Sequence, residues 1–152
     1  MSRRRNINQI FDPVLTAQVT GADYDKLVYF LVANRPHSYP KGSSRVVYIG
    51  TTSAGLWRIS SSVSEKIYKG QNDLHGFKRL DAYVIWSRTK RGPSTYRDRP
   101  IYIILERAAL IVFRDAYGSI PVLNKHGLGI AEEHEFEVFA RKRVEQIVGR
   151  YG

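Results

Sequence analysis

Glu106 lies in the middle of an apolar run, Ile101-Tyr102-Ile103-Ile104-Leu105-Glu106-Arg107-Ala108-Ala109-Leu110-Ile111-Val112-Phe113. A carboxylate in such surroundings is costly unless it is paired, protonated or bound to a metal. One acid forced into a core is what a single-ligand Mg²⁺ site would look like, because Mg²⁺ often takes only one or two carboxylates and keeps several waters. An ion pair to an arginine, or a helix edge that reaches solvent, accounts for the same residue. The second feature is a dense basic stretch that holds Arg88, Lys90, Arg91, Arg97 and Arg99 around Tyr96. Such a loop can follow a phosphate backbone and stack a base on its aromatic ring. A solvated surface loop has the same composition. His37, His126 and His134 show no metal-ligand spacing, and neither a P-loop nor a dinucleotide fingerprint is present.

The charge balance agrees with the second feature. The 152 residues carry 24 Lys and Arg against 14 Asp and Glu, a net +10. Residues 26–99 hold the whole excess, 14 basic against 4 acidic, whereas from Ala131 onward five Glu meet four basic residues. A field of this kind points to a polyanion, nucleic acid first, with a membrane surface or plain solubility as the other readings. Cysteine is absent, which excludes disulfides and thiolate metal sites. No apolar run approaches the roughly 18 residues a membrane helix needs. Arg3, Arg4 and Arg5 lead into polar Asn6 and Asn8, so a cytoplasmic protein without a signal peptide is expected. Length and an ordinary apolar content predict one domain over residues 1–152.

These residues must be positioned by regular elements. Residues 1–25 read as a basic arm with a short helix or irregular cap, carrying Ile7, Ile10, Phe11, Leu15 and Val19 and interrupted by Pro13. Lys26 to Ala33, rich in β-branched and aromatic residues, predicts a strand. Residues 34–45, with two Pro and three Ser, predict a loop, and Val46 to Ile49 a second short strand stopped at Gly50. Thr51, Thr52 and Ser53 are natural caps for a helix from about Ala54, with Leu56, Ile59, Val63 and Ile67 on one face and Gly70 at its end. Leu80 to Trp86 predicts a third strand. Pro100 opens a helix that Gly118 closes. Residues 131–148 predict a final amphipathic helix with Phe136, Phe139, Ala140, Val144, Ile147 and Val148 facing inward. The expected fold is α+β: a small, mainly antiparallel three-stranded sheet flanked by helices in the order β-β-α-β-α, plus a C-terminal helix.

Several residues now fall in one series. Leu27-Val28-Tyr29 lies on the first strand and Tyr48-Ile49-Gly50 on the second. Arg58 follows ten residues after Tyr48 on the next helix, Glu106 sits in the 100–117 helix, and Pro121-Val122-Leu123-Asn124 comes after it. Over about residues 26–126 this series resembles the GIY-YIG nuclease family, whose pattern is a GIY strand, a YIG strand, an Arg, a Glu and a following Asn. Only the Tyr of the first motif is kept. One turn after Arg58 the family often has His or Tyr, and here Ser62 stands there, with His75 beyond the helix as a second source of an imidazole.

The resemblance implies a metal-dependent endonuclease that hydrolyses DNA. Tyr29 would be the general base on the attacking water, which at neutral pH requires a cationic or metal-rich setting because a free Tyr titrates near ~10. Tyr48 would hold the water or a phosphate oxygen in line. Arg58 would offset charge on the scissile phosphate through its guanidinium fork. Glu106 would bind one Mg²⁺ or Mn²⁺ beside the leaving 3′ oxygen. Asn124 would tie its loop to the site, and Gly50 would permit close backbone approach. Arg45, Arg88, Lys90, Arg91, Tyr96, Arg97 and Arg99 are the expected nucleic-acid contacts. Sequence preference would then come from loops 34–45 and 88–99 or from a homodimer, which fits a small stand-alone nuclease better than a homing enzyme. Two other classes stay open: a non-catalytic nucleic-acid-binding domain on the same fold, and a protein-interaction module whose basic face meets an acidic partner.

Overall fold

The computed structural model describes residues 7–9, 11–12, 25–72, 76–87 and 93–152. Most of the N-terminal arm and short helix expected over 1–25 therefore lies outside the described residues. Three strands, β1 (Leu27–Tyr39), β2 (Gly42–Thr52) and β3 (Leu80–Ile85), form an antiparallel sheet in the order β2-β1-β3. Helix α1 (Leu56–Asn72) joins β2 to β3. A two-residue pair, β4 (Thr95–Tyr96) and β5 (Arg99–Pro100), leads into α2 (Ile101–Tyr117). A short helix α3 (Glu135–Val138) and then α4 (Arg141–Tyr151) complete the chain. The α+β class, the antiparallel three-stranded sheet and the order of β1, β2, α1, β3 and α2 agree with the reading from sequence; the β4–β5 pair is an addition, formed at the end of the 88–99 stretch expected as a loop.

Every residue from Leu27 to Ala33 on β1 is buried, so this central strand has apolar side chains on both of its faces. A strand buried on both sides reads as a continuous apolar run rather than an alternating one. Val28, Phe30 and Val32 pack with Val46 and Ile49 against Leu105, Ala108, Val112 and Phe113 of α2 and Val144 and Val148 of α4. Leu27, Tyr29, Leu31 and Ala33 pack on the other face against Ile59 of α1, Phe77 and Leu123. The sheet is thus held between α1 on one side and α2 with α4 on the other.

Two boundaries differ from expectation. Residues 34–45 are not a loop: β1 and β2 form one long hairpin, with His37 opposite Ser44 and Tyr39 opposite Gly42. The prolines are tolerated because the register jumps between Val32 and His37, so Pro36 lies where no ladder N–H is required. Asn34, in the same bulge, donates its N–H to Arg79 O and accepts from Lys78 N through Oδ1. The helix expected over 131–148 is broken, because Phe139 and Ala140 are extended between α3 and α4. Ala140 is exposed rather than inward.

The cause of that break is a buried carboxylate. Glu135 is only 1% exposed; Arg107 Nε lies 2.6 Å from its Oε1 and the Glu133 N–H 2.6 Å from its Oε2. Arg99 Nη1 adds a contact at 3.8 Å. Burial pushes the Glu135 carboxyl up, but the Glu133 N–H and the Arg107 guanidinium outweigh it and hold the group below its usual range. This pins α3 to α2, and α4 must turn to lay Val144 and Val148 on the same helix.

Glu135→Ala leaves Arg107 without its closest partner, at an expected loss of about 3–5 kcal/mol. Asp115→Ala removes an exposed partner of Arg141 and is expected to lose under about 1 kcal/mol. Because the folded Glu135 carboxyl titrates below 4.5, its stabilisation is present above that pH and is lost as pH falls through the lowered value. Urea midpoints of the two variants and the wild type, measured between neutral and acid pH, check both expectations.

Candidate active site

Tyr29 on β1 lies directly across from Gly50 on β2, and Leu31 lies across from Tyr48. Directly opposed residues share a face, so both tyrosines point toward α1. Val47 is an extra residue between the Leu31–Tyr48 and Val32–Val46 pairs, a bulge that re-aims Tyr48. The ring of Tyr48 then folds along its own strand over Gly50. A Cβ on residue 50 would stand 2.5 Å from Tyr48 Cε1 and 2.8 Å from its hydroxyl. Real Cβ atoms do not approach so closely, so the Tyr-x-Gly spacing has a steric cause. It brings the two phenol rings to 5.7 Å between centroids.

Helix α1 supplies the polar wall. Tyr29 donates its hydroxyl proton to Ser62 Oγ at 2.8 Å. Lys66, one turn beyond Ser62, sets Nζ 4.6 Å from the centre of the Tyr48 ring with its side chain only 12% exposed. Burial pushes the Lys66 ammonium down. The Tyr48 phenol is pushed up, first by burial and then by Tyr29, Glu106 and Glu65. Tyr48 therefore keeps its proton at neutral pH and serves as a hydrogen-bond donor.

Asn124 is spliced to the free edge of β2. Its Oδ1 accepts from Ile49 N at 3.0 Å and its Nδ2 donates to Ile49 O at 2.8 Å. Leu123 N donates to Val47 O alongside. The amide side chain imitates a strand residue and fixes the loop beside Tyr48.

Glu106 lies on α2, half-buried, and its carboxyl is pushed up to about 7 by burial, with the Arg107 charge pulling it partly back. Arg107 does not pair with it; that guanidinium binds Glu135, Glu133 and the Ala131 carbonyl. Among the described residues nothing forms a hydrogen bond or ion pair with Glu106. Four residues earlier on α2, Tyr102 joins Arg58 and residues 51–54 in lining a cleft of about 220 Å³. Arg58 is exposed there. Among the described residues no group of three or more His, Asp or Glu gathers to hold a metal. The donor set is one half-buried carboxylate without a hydrogen-bond or ion-pair partner among the described residues, which fits a hard divalent ion that takes few protein ligands and retains most of its water shell.

The remaining sequence candidates are placed differently. Arg45 is exposed on β2. Tyr96 donates to Glu137 Oε2 at 2.6 Å, Arg97 Nη2 is 3.4 Å from the same oxygen, and Arg99 Nη1 is 2.9 Å from Glu133 Oε2. These three are turned toward the acidic 133–137 segment, not toward the tyrosines. His75, Arg88, Lys90 and Arg91 lie outside the described residues. Two site residues were missed from sequence, Lys66 and Tyr102. Their signal was helical spacing: Lys66 follows Arg58 and Ser62 at four-residue steps, and Tyr102 precedes Glu106 by four.

No protein-family model, curated protein or solved structure matches the chain. No helix among the described residues is long and apolar enough to cross a membrane.

The Glu106 environment carries a stability cost with a definite sign. Its folded value of about 7 exceeds the ordinary 4.5, so the penalty is absent below 4.5, grows as pH rises, and is complete above 7. In EDTA, Glu106→Gln is expected to stabilise the protein by roughly 2–3 kcal/mol at about pH 8. Near about pH 4 it is expected to change little. Denaturant titrations of both proteins at the two pH values read this directly.

Proposed function

We propose that this protein is a metal-dependent endonuclease that hydrolyses phosphodiester bonds in DNA, on a GIY-YIG-like fold. The observation that carries the reading is Glu106: a half-buried carboxylate in an apolar helix, without a pairing partner among the described residues, whose charge acts on Tyr48. A fold keeps such a group at a cost in stability, and perturbed carboxylates of this kind cluster at functional sites. The resemblance of Tyr29, Tyr48-Ile49-Gly50, Arg58, Glu106 and Asn124 to the family pattern adds to it, as does the net +10.

In this reading Glu106 holds one Mg²⁺ or Mn²⁺, which would supply positive charge to the leaving 3′ oxygen. The chain's own groups do the rest. As Tyr29 takes the proton of the attacking water, its own hydroxyl proton moves along the hydrogen bond to Ser62 Oγ, and Ser62, partly exposed, passes its hydroxyl proton to solvent. Tyr48, which stays protonated, donates to the water or to a phosphate oxygen and keeps the attack in line. Arg58, exposed in the cleft beside Tyr102, offers its planar fork to the phosphate as negative charge builds. Asn124 holds the Tyr48 strand edge rigid through Ile49.

Supercoiled plasmid incubated with Mg²⁺ or Mn²⁺ is expected to be nicked and linearised by the wild type. Glu106→Ala and Arg58→Ala are each expected to lower the rate by about 10²-fold or more while DNA binding persists. An intact plasmid with both metals would refute the nuclease. Equal cutting by Glu106→Ala would refute the role of that carboxylate.

A further inference from the structure

Helix α1 has an outer face that the tyrosine site does not use. Trp57, Ser61, Ser64 and Tyr68 follow one another at spacings of four, three and four, which makes them one stripe along the helix. The stripe lies across the helix from Ile59, which is buried against the sheet. All four residues are exposed, Trp57 at 65% and Tyr68 at 69%. Among the described residues neither ring stacks on, or hydrogen-bonds with, another side chain. One exposed aromatic residue is ordinary. Two on a single helix face, with no charged residue between them on the stripe, have the composition of the centre of a protein interface.

The order of the stripe selects the occupant. From either end it runs aromatic, serine, serine, aromatic, and its midpoint falls between Ser62 and Val63. A twofold axis through that midpoint, perpendicular to α1, lays a second α1 antiparallel on the first. Trp57 then meets Tyr68 of the second copy, and Ser61 meets Ser64 of the second copy. A twofold contact must be self-complementary in this way. The polar atoms match as well. Ser60 Oγ donates to Trp57 O at 2.8 Å and Ser64 Oγ donates to Ser60 O at 3.0 Å, so Ser64 has spent its proton and can only accept. Ser61 has no hydrogen-bond partner among the described residues and can donate. The antiparallel arrangement pairs this donor with that acceptor twice. A parallel arrangement would set the two Ser64 acceptors face to face. Serine is also small enough for the helices to approach closely between the rings.

We propose that the Trp57–Tyr68 face of α1 is the contact surface of a homodimer, in which the two α1 helices pack antiparallel about a twofold axis. The inference does not rest on the nuclease reading. Each copy carries a net +10, and the uncharged stripe lets two copies meet without setting cation against cation. Ser62 points from α1 to Tyr29 and is off the stripe, so the tyrosine site stays open in the dimer. Buried aromatic side chains remove about 150–250 Å² each, so four rings at two-thirds exposure supply roughly 500 Å². That is less than half of the ~1,200 Å² typical of stable complexes, and the dimer is therefore weak and reversible.

The test is sedimentation of the protein alone, from about 5 to about 500 μM, at about 0.1 M and about 0.5 M salt. The average mass of the wild type is expected to rise with concentration from 17.4 kDa toward twice that value. The rise is expected to be larger at the higher salt, because screening weakens the repulsion between the copies. Trp57→Ala with Tyr68→Ala is expected to stay monomeric with an unchanged circular dichroism spectrum, since both side chains lie in water. Leu128→Ala, which removes an exposed apolar side chain elsewhere, is expected to dimerise as the wild type does. Ser61→Asp with Ser64→Arg is expected to keep the dimer, because opposite charges meet across the axis. Ser61→Arg with Ser64→Arg is expected to abolish it. A monomeric wild type at every concentration would overturn the proposal, as would full dimerisation of the Trp57 and Tyr68 double variant. Equal loss in the two serine variants would overturn the antiparallel arrangement.

Discussion

Strand β1 runs through the middle of the sheet with a helical layer on each face, and its side chains from Leu27 to Ala33 are all withdrawn from water. A residue in that run that carries a polar atom must find a partner inside the protein. Tyr29 is the one that does, and Ser62 of α1 is its partner. Beside it, the Val47 bulge lays the Tyr48 ring over Gly50, 5.7 Å from the Tyr29 ring. The tyrosine pair is therefore built into the pairing of the central strand with β2. Its chemistry and its packing cannot be varied independently.

Helix α2 covers the other face and carries two acid problems with opposite solutions. Glu135 is brought against it and fully satisfied, by Arg107 on one oxygen and the Glu133 N–H on the other. Glu106 stands next to Arg107 in sequence and does not get it. The two carboxyls are pushed in opposite directions for that reason. A chain selected only for stability could have placed glutamine or leucine at position 106 and gained from it. The unsatisfied acid sits on the same helix face as Tyr102, which borders the cleft that holds Arg58. Electrostatics thus separate a paired carboxylate from an unpaired one against the same helix.

Much of this was legible in the residues. The apolar run 27–33 and Pro100 and Gly118 around α2 act through local chemistry, and those elements formed where expected, whereas Thr51 and Thr52, expected as helix caps, end β2 and α1 begins only at Leu56. What was not legible depended on partners distant in the chain. Pro36 and the serines of 34–45 read as a loop, because only the pairing of His37 with Ser44 reveals that the hairpin continues past a bulge. The break at Phe139–Ala140 follows from Glu135 meeting Arg107, a contact 28 residues apart. For the site, the Tyr-x-Gly spacing was readable but its steric reason was not, since the ring orientation over Gly50 is set by the Val47 bulge. The basic loop misdirected attention for a related reason: charge density says nothing about which cations already have carboxylates beside them. Lys66 was overlooked because one lysine on a helix is ordinary until the Tyr48 ring is found beneath it.

The central claim is that Glu106 is left unpaired in order to hold a divalent cation. Titration of Mn²⁺ into the protein at about pH 8, followed by calorimetry, tests it without any catalytic step. The account predicts one Mn²⁺ bound per chain and no measurable binding in Glu106→Gln. Equal binding by the two proteins, or none by the wild type, would contradict it.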